Sequence, residues 1–146
     1  MKLFVSRSPE ETISIAEQFA AVYLTIGSVV VLRGELGAGK TQFTKGIARA
    51  FGIDEHELSS PTFALANEYP ARRSDSDTFT FYHLDCYRFE KPEELLELGV
   101  EDYLYPKGGI TVVEWPERIE AYLPQGRIEV AFEVRSETER QIVITS

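Results

Sequence analysis

The sequence predicts an α/β fold built on a mainly parallel sheet, and three observations carry that prediction. Two short apolar runs rich in β-branched residues, Ser28 to Leu32 and Ile110 to Glu114, have the near-continuous hydrophobicity of strands covered on both faces. Helical patterns alternate with strand patterns, as parallel connections require. Between the first run and a helical pattern lies Gly34-Glu35-Leu36-Gly37-Ala38-Gly39-Lys40-Thr41, which fits G-x-x-x-x-G-K-[ST].

The elements follow in order. Lys2 to Ser6 reads as a short strand. Ser8 is placed as an N-cap, with Pro9 at the first helical position and Glu11 three residues after the cap. The helix carries Ile13, Ala16, Ala20 and Leu24 on one stripe and should end near Gly27. Strand Ser28 to Leu32 and the glycine loop come next, then a helix with Phe43, Ile47, Ala50 and Phe51 on one face and Gly52 as its stop. Asp54 to Ser60 is polar, and Ser59-Ser60-Pro61-Thr62-Phe63 leads into a strand running through Tyr69. Pro70 to Asp77, dense in Arg, Ser and Asp, reads as a mobile hairpin tip, with Thr78 to Asp85 as the returning strand. Pro92 to Leu98 makes a short helix closed by Gly99, and Gly108-Gly109 breaks the chain before the second buried strand. Arg127 to Val134 and Arg140 to Thr145 form a terminal hairpin around Ser136 to Glu139. All of this fits one domain, residues 1–146, of the three-layer P-loop NTPase type, with antiparallel additions and a C-terminal β-hairpin.

The glycine loop carries the chemistry. Glycines at 34, 37 and 39 keep side chains away from the approach, so successive backbone N–H groups can converge on phosphate oxygens at a helix N-terminus. Lys40 is placed to reach the β- and γ-phosphates, and the Thr41 hydroxyl is a candidate magnesium ligand. Ligands in such sheets sit beyond the carboxyl ends of the strands, which draws attention to Thr62, Asp85 and Glu114. Magnesium prefers oxygen ligands, and Glu114 emerges most cleanly from a buried strand, with Asp85 beside it as the second candidate. Thr62 lies where related nucleotide-binding proteins place a segment that senses the γ-phosphate, or else simply turns the chain into a strand. Trp115 stands next to Glu114, either as a core plug or as a lid near the nucleotide. His83 reads as a packing residue within an apolar strand, and Arg88 can pair with Asp85 or with phosphate. The only asparagine, Asn67, precedes Glu68, so the N-K-x-D guanine reader is missing and ATP is the expected nucleotide.

Composition sets outer limits. A net charge of −9, from 24 acidic and 15 basic residues, lacks the positive footprint that nucleic-acid backbones require. Arg88 to Glu120 carries nine carboxylates against four basic residues, a solvated face or a docking surface for a basic partner. No apolar run approaches the roughly 18 residues of a membrane span, and the first ten residues turn acidic too soon for a signal peptide, so a cytoplasmic protein is expected. The single cysteine, Cys86, excludes an internal disulfide.

Beyond the loop, Ser60-Pro61-Thr62-Phe63, His83-Leu84-Asp85-Cys86-Tyr87-Arg88, Pro92-Glu93-Glu94-Leu95, Leu98 to Tyr103 and Val113-Glu114-Trp115-Pro116 together make the chain resemble the bacterial TsaE family, formerly YjeE, over nearly its whole length. The resemblance implies a small ATPase needed for threonylcarbamoyladenosine (t6A) on tRNA at the adenosine next to the anticodon. In that family a TsaB and TsaD pair performs the transfer from an adenylate made by TsaC, and the ATPase docks on the pair, leaving tRNA to its partners. It further implies catalytic roles for Lys40, Asp85 and Thr62, nucleotide contacts from Glu35, Gly37, Ala38, Gly39, Lys40, Thr41, Gln42 and Trp115, and magnesium on Thr41 and Glu114. Glu10 to Thr12 and Ser136 to Arg140 would close the adenine pocket. No lone arginine stands out as a charge-neutralising finger, so slow hydrolysis of ATP to ADP, stimulated by partners, is expected. The competing readings are a small-molecule kinase, which needs an acceptor pocket, and a nucleotide-gated binding module without meaningful turnover.

Overall fold

The structure is a computed structural model that describes residues 1–59 and 65–146. The elements are β1 (Lys2–Ser6), α1 (Pro9–Tyr23), β2 (Val29–Arg33), α2 (Lys40–Ala50), a 3-10 turn (Glu55–Glu57), β3 (Ala66–Ser74), β4 (Asp77–Asp85), α3 (Pro92–Glu97), α4 (Val100–Leu104), β5 (Gly109–Glu114), a 3-10 segment (Pro116–Tyr122), β6 (Ile128–Val134) and β7 (Arg140–Thr145). All seven strands share one sheet in the order β1-β7-β6-β2-β5-β4-β3. The central pairs β6-β2, β2-β5 and β5-β4 are parallel. The outer pairs β1-β7, β7-β6 and β3-β4 are antiparallel. The expected mainly parallel sheet with antiparallel additions and a terminal hairpin is therefore present.

Burial on both faces explains the apolar runs. In β2, Val30 and Leu32 face one core with Phe19, Phe43, Ile47, Phe81 and Val112. Val29 and Val31 face the other, with Leu84, Leu95, Leu104, Val113 and Ile119. Helices α1 and α2 cover the first face, and α3, α4 and the 3-10 segment cover the second, which makes three layers. Side chains of a strand alternate between faces, so a strand sandwiched this way must be apolar at every position. Helix α1 starts as read: the Ser8 hydroxyl accepts from the Glu11 N–H at 3.0 Å, and Pro9 sits in the first turn. Within α2, Gly46 lies against α1 so closely that a Cβ there would overlap the Ile13 carbonyl oxygen and the Ala16 Cβ. That contact fixes the phosphate-loop helix against its neighbour.

One expectation needs correction. Pro70 to Ser74 is strand, not hairpin tip; Pro70 pairs with Thr80, and only Asp75 and Ser76 turn the chain. β3 lies at the sheet edge, where a missing proline N–H costs no ladder bond and exposed polar side chains are tolerated. Helix α4 and the 3-10 segment Pro116–Tyr122 were not foreseen, because such short helices depend on packing rather than on their own propensity. The strand entry expected from Ser60 to Phe63, with Thr62, lies outside the described residues. Among the described residues no helix is long and apolar enough to cross a membrane.

Candidate functional site

Parallel pairing brings three strand ends to one edge of the sheet. Leu32 of β2 and Asp85 of β4 are both in register with Glu114 of β5. The chain leaves β2 through the glycine loop and enters α2 at Gly39, whose φ of 113° lies in the left-handed region. A side chain there would be strained, and no side chain caps the helix, so the first N–H groups of α2 face outward together. The helix dipole adds partial positive charge at the same place.

Lys40 and Thr41 open this helix. The Lys40 side chain is buried; its ammonium donates to the Gly34 carbonyl at 2.5 Å and lies 3.2 Å from the centre of the Trp115 ring. Burial pulls the Lys40 ammonium below its ordinary pKa, against the opposing charges of Glu114, Glu117 and Asp85. Trp115 has φ 58° and ψ 56°, the only positive φ outside glycine among the described residues, and it precedes a proline. Such a conformation costs on the order of 1–3 kcal/mol. It turns the chain sharply out of β5 and sets the indole beside Lys40. Tyr87 packs against the indole with ring centres 4.8 Å apart.

Glu114 is buried at the end of β5. His83 Nε2 is hydrogen-bonded to its Oε2, and the Thr44 hydroxyl, which donates to the Lys40 carbonyl at 3.0 Å, lies 3.4 Å from the same oxygen. Asp85 accepts from the Tyr87 N–H at 3.0 Å. Its carboxyl is pushed above the ordinary aspartate value by burial, with the neighbouring Glu114 charge adding to the effect and the Tyr87 N–H opposing it. Beside it, burial pushes the Cys86 thiol up to about 12, so this cysteine is inert.

Lys40, Asp85, Tyr87, Glu114 and Trp115 line one cleft of about 630 Å³, within the usual size range of small-molecule sites. Of the residues singled out from sequence, Gly37, Gly39, Lys40, Thr41, Gln42, Asp85, Glu114 and Trp115 line it. Ala38 is buried beneath the loop with its N–H donated to the Glu35 carbonyl at 3.0 Å, and Glu35 borders a neighbouring depression with Phe132 and Val134. Thr62 lies outside the described residues.

The far end of the cleft is built by the entry to α1 and the last hairpin. Ser8, Pro9 and Thr12 line it with Glu137, Thr138 and Arg140; of the stretches Glu10–Thr12 and Ser136–Arg140, Thr12, Glu137, Thr138 and Arg140 line the cleft. Arg140 reaches back to the loop, donating to the Gly37 carbonyl at 3.1 Å and to the Ser136 carbonyl at 2.8 Å. Arg7 also lines the cleft and pairs with Glu139 at 3.6 Å. No sequence signal marked Arg7, since only the β1-β7 pairing brings it to the hairpin.

A cation that prefers oxygen finds suitable chemistry here: the Thr41 hydroxyl and the carboxylates of Glu114 and Asp85. Among the described residues there is no cluster of three or more His, Cys, Asp or Glu side chains able to cage a metal alone. One or two protein oxygens with phosphates completing the shell is the pattern of magnesium rather than of zinc or calcium.

Known proteins resemble the chain in sequence and in fold. Residues 6–142 match the family model described as threonylcarbamoyl adenosine biosynthesis protein TsaE. The chain is 40% identical over 139 residues to the tRNA threonylcarbamoyladenosine biosynthesis protein TsaE of Bacillus subtilis, covering 95% of this chain and 82% of that one. It is 38% identical to the protein of the same name from Treponema pallidum, covering 96% and 97%. The crystal structure of Bacillus subtilis YdiB superimposes with a TM-score of 0.76 at 34% identity, covering 99% of this chain and 84% of that one. By sequence over nearly its full length and by fold, the chain belongs to the TsaE family.

Proposed function

We propose that this chain binds ATP with magnesium in the cleft, hydrolyses it to ADP, and thereby supports t6A biosynthesis on tRNA together with TsaB and TsaD. The observation that carries the reading is the meeting of an uncapped helix N-terminus, bearing Lys40 and Thr41, with two strand-end carboxylates, Asp85 and Glu114, in one cleft. The t6A pathway comes from the names of its relatives.

In this reading the backbone N–H groups at the start of α2 and the Lys40 ammonium hold the β- and γ-phosphates. Thr41 and Glu114 hold magnesium, which when bound would neutralise charge on the phosphate oxygens. Asp85, adjacent to Glu114, is the candidate to orient the attacking water, a role that Thr62 could share. The Arg140 guanidinium is committed to backbone carbonyls and Arg7 to Glu139. Cleft residues Ser8, Pro9, Thr12 and Thr138 are suited to the base and ribose. With a charge of −9, the chain fits a role among protein subunits that themselves hold the tRNA.

Phosphate release is the test. The isolated chain should release phosphate from ATP slowly, without any acceptor, and faster with TsaB and TsaD. Equal rates with and without the partners would remove the partner dependence; transfer to an added acceptor would make the chain a kinase, and no release in a single turnover would make it a binding module.

A further inference from the structure

Glu114 lines the cleft, but the residue that grips it does not. His83 lies behind it, with side chains of both residues only 7% exposed. The two sit on neighbouring parallel strands: Asp85 is in register with Glu114, and His83 is two residues before Asp85 on the same face. Their contact is fixed by the sheet, not by a loop.

The single Thr44 hydroxyl proton goes to the Lys40 carbonyl at 3.0 Å, the shorter of its two contacts. A carboxylate only accepts, so with Glu114 as a cation ligand the His83 Nε2 is the donor to it. Nδ1 is left as a buried acceptor with no partner among the described residues. Leaving such a group unpaired costs about 1–3 kcal/mol. A histidine that merely filled space would be served better by leucine, so the Nε2 bond has to do something a hydrocarbon cannot.

We propose that His83 is a positioning residue for Glu114, whose Nε2–H occupies Oε2 and so presents Oε1 to a divalent cation in the cleft. This rests on the nucleotide reading above. Carboxylates that ligate metals are themselves commonly held by such outer hydrogen bonds, and losing one typically costs about 10–100-fold in metal affinity. With the carboxylate locked, cation binding does not have to order the Glu114 side chain.

The test compares His83→Leu, which fills the volume without a donor, with His83→Gln, which keeps an N–H near the Nε2 position. ATP affinity is measured by calorimetry in EDTA and across a magnesium titration, alongside thermal unfolding. His83→Leu should bind ATP in EDTA as the unmodified protein does but need about 10–100-fold more magnesium for the same tightening; His83→Gln should restore most of the difference. An unchanged magnesium requirement in His83→Leu, even with lowered thermal stability, overturns the proposal, as does a Gln variant no better than Leu. If magnesium leaves ATP binding by the unmodified protein unaltered, the nucleotide reading falls and takes the proposal with it, an outcome distinct from failure at His83 alone. Should His83→Leu not fold, His83→Asn, whose shorter amide falls short of Oε2, replaces it, and equality with His83→Gln overturns the proposal.

Discussion

Two charged clusters end the central strands, and they are built on opposite rules. At the end of β2, Arg33 is half-buried and saturated: it donates to both oxygens of Glu120 at 2.9 and 2.8 Å and to Glu129 at 2.6 Å, while Arg127 also binds Glu129 at 2.8 Å. Hydrogen bonding to Glu120 holds the Arg33 guanidinium above its ordinary value, and Arg33 holds Glu129 below its own. At the end of β5, the Glu114, His83, Thr44 and Lys40 cluster is buried but incompletely paired, with an orphaned His83 Nδ1 and a lysine held below its ordinary pKa by burial. Charge placed for structure is mutually satisfied. The second cluster is desolvated and incompletely paired, a pattern common at ligand sites.

The largest effect should come from the buried cluster. Lys40→Ala removes the one ammonium at the helix N-terminus and should lower ATP turnover about 10²–10³-fold, with the melting temperature nearly unchanged or raised, since the lysine is buried at a cost. Single-turnover phosphate release with a parallel melt checks this. A variant that hydrolyses normally would place Lys40 with the structural charges.

Acidification should separate the clusters next. Burial raises the Asp85 pKa, so the folded chain takes up this proton at a pH where the unfolded chain does not. The contribution of Asp85 to stability should therefore improve as pH falls from its raised value toward the ordinary aspartate value, and the cost of burying its charge is fully present above that window. Activity needs the ionised form and should fall across the same window. Asp85→Asn should abolish the stability increment, as read from urea midpoints against pH; an increment that survives would assign it to another group.

The smallest effect belongs to the saturated cluster. Glu120→Gln breaks the two-pronged contact to Arg33, but Glu120 is 52% exposed, so the loss should be no more than about 1 kcal/mol. It should shrink further in high salt, with nucleotide affinity unaltered. A large, salt-insensitive loss would mean that Arg33 anchors the segment behind Trp115 more strongly than its exposure implies.

The difference between the clusters also explains what could be read from the sequence. The glycine loop, its strand and its helix were legible because each needs particular residues locally: glycine at left-handed φ, β-branched residues in a doubly covered strand, and a lysine at the helix start. Glu114 is legible from its place after the strand run Ile110-Thr111-Val112-Val113. In sequence His83 reads as packing, because a strand pattern gives the face of a residue but not the partner two residues along the next strand. Arg7 and Arg140 reach the cleft only through strand pairing distant in sequence. Pro70 to Ser74 looked like a loop because an edge strand facing water has the composition of one.

The expected effects at Lys40 and His83, and on activity at Asp85, all require that the start of α2 grips a polyphosphate. Calorimetric titration of the purified, folded chain with ATP, with and without magnesium, tests that most directly. The structure predicts saturable binding that magnesium tightens; no detectable heat of ATP binding at millimolar nucleotide in either condition would contradict it.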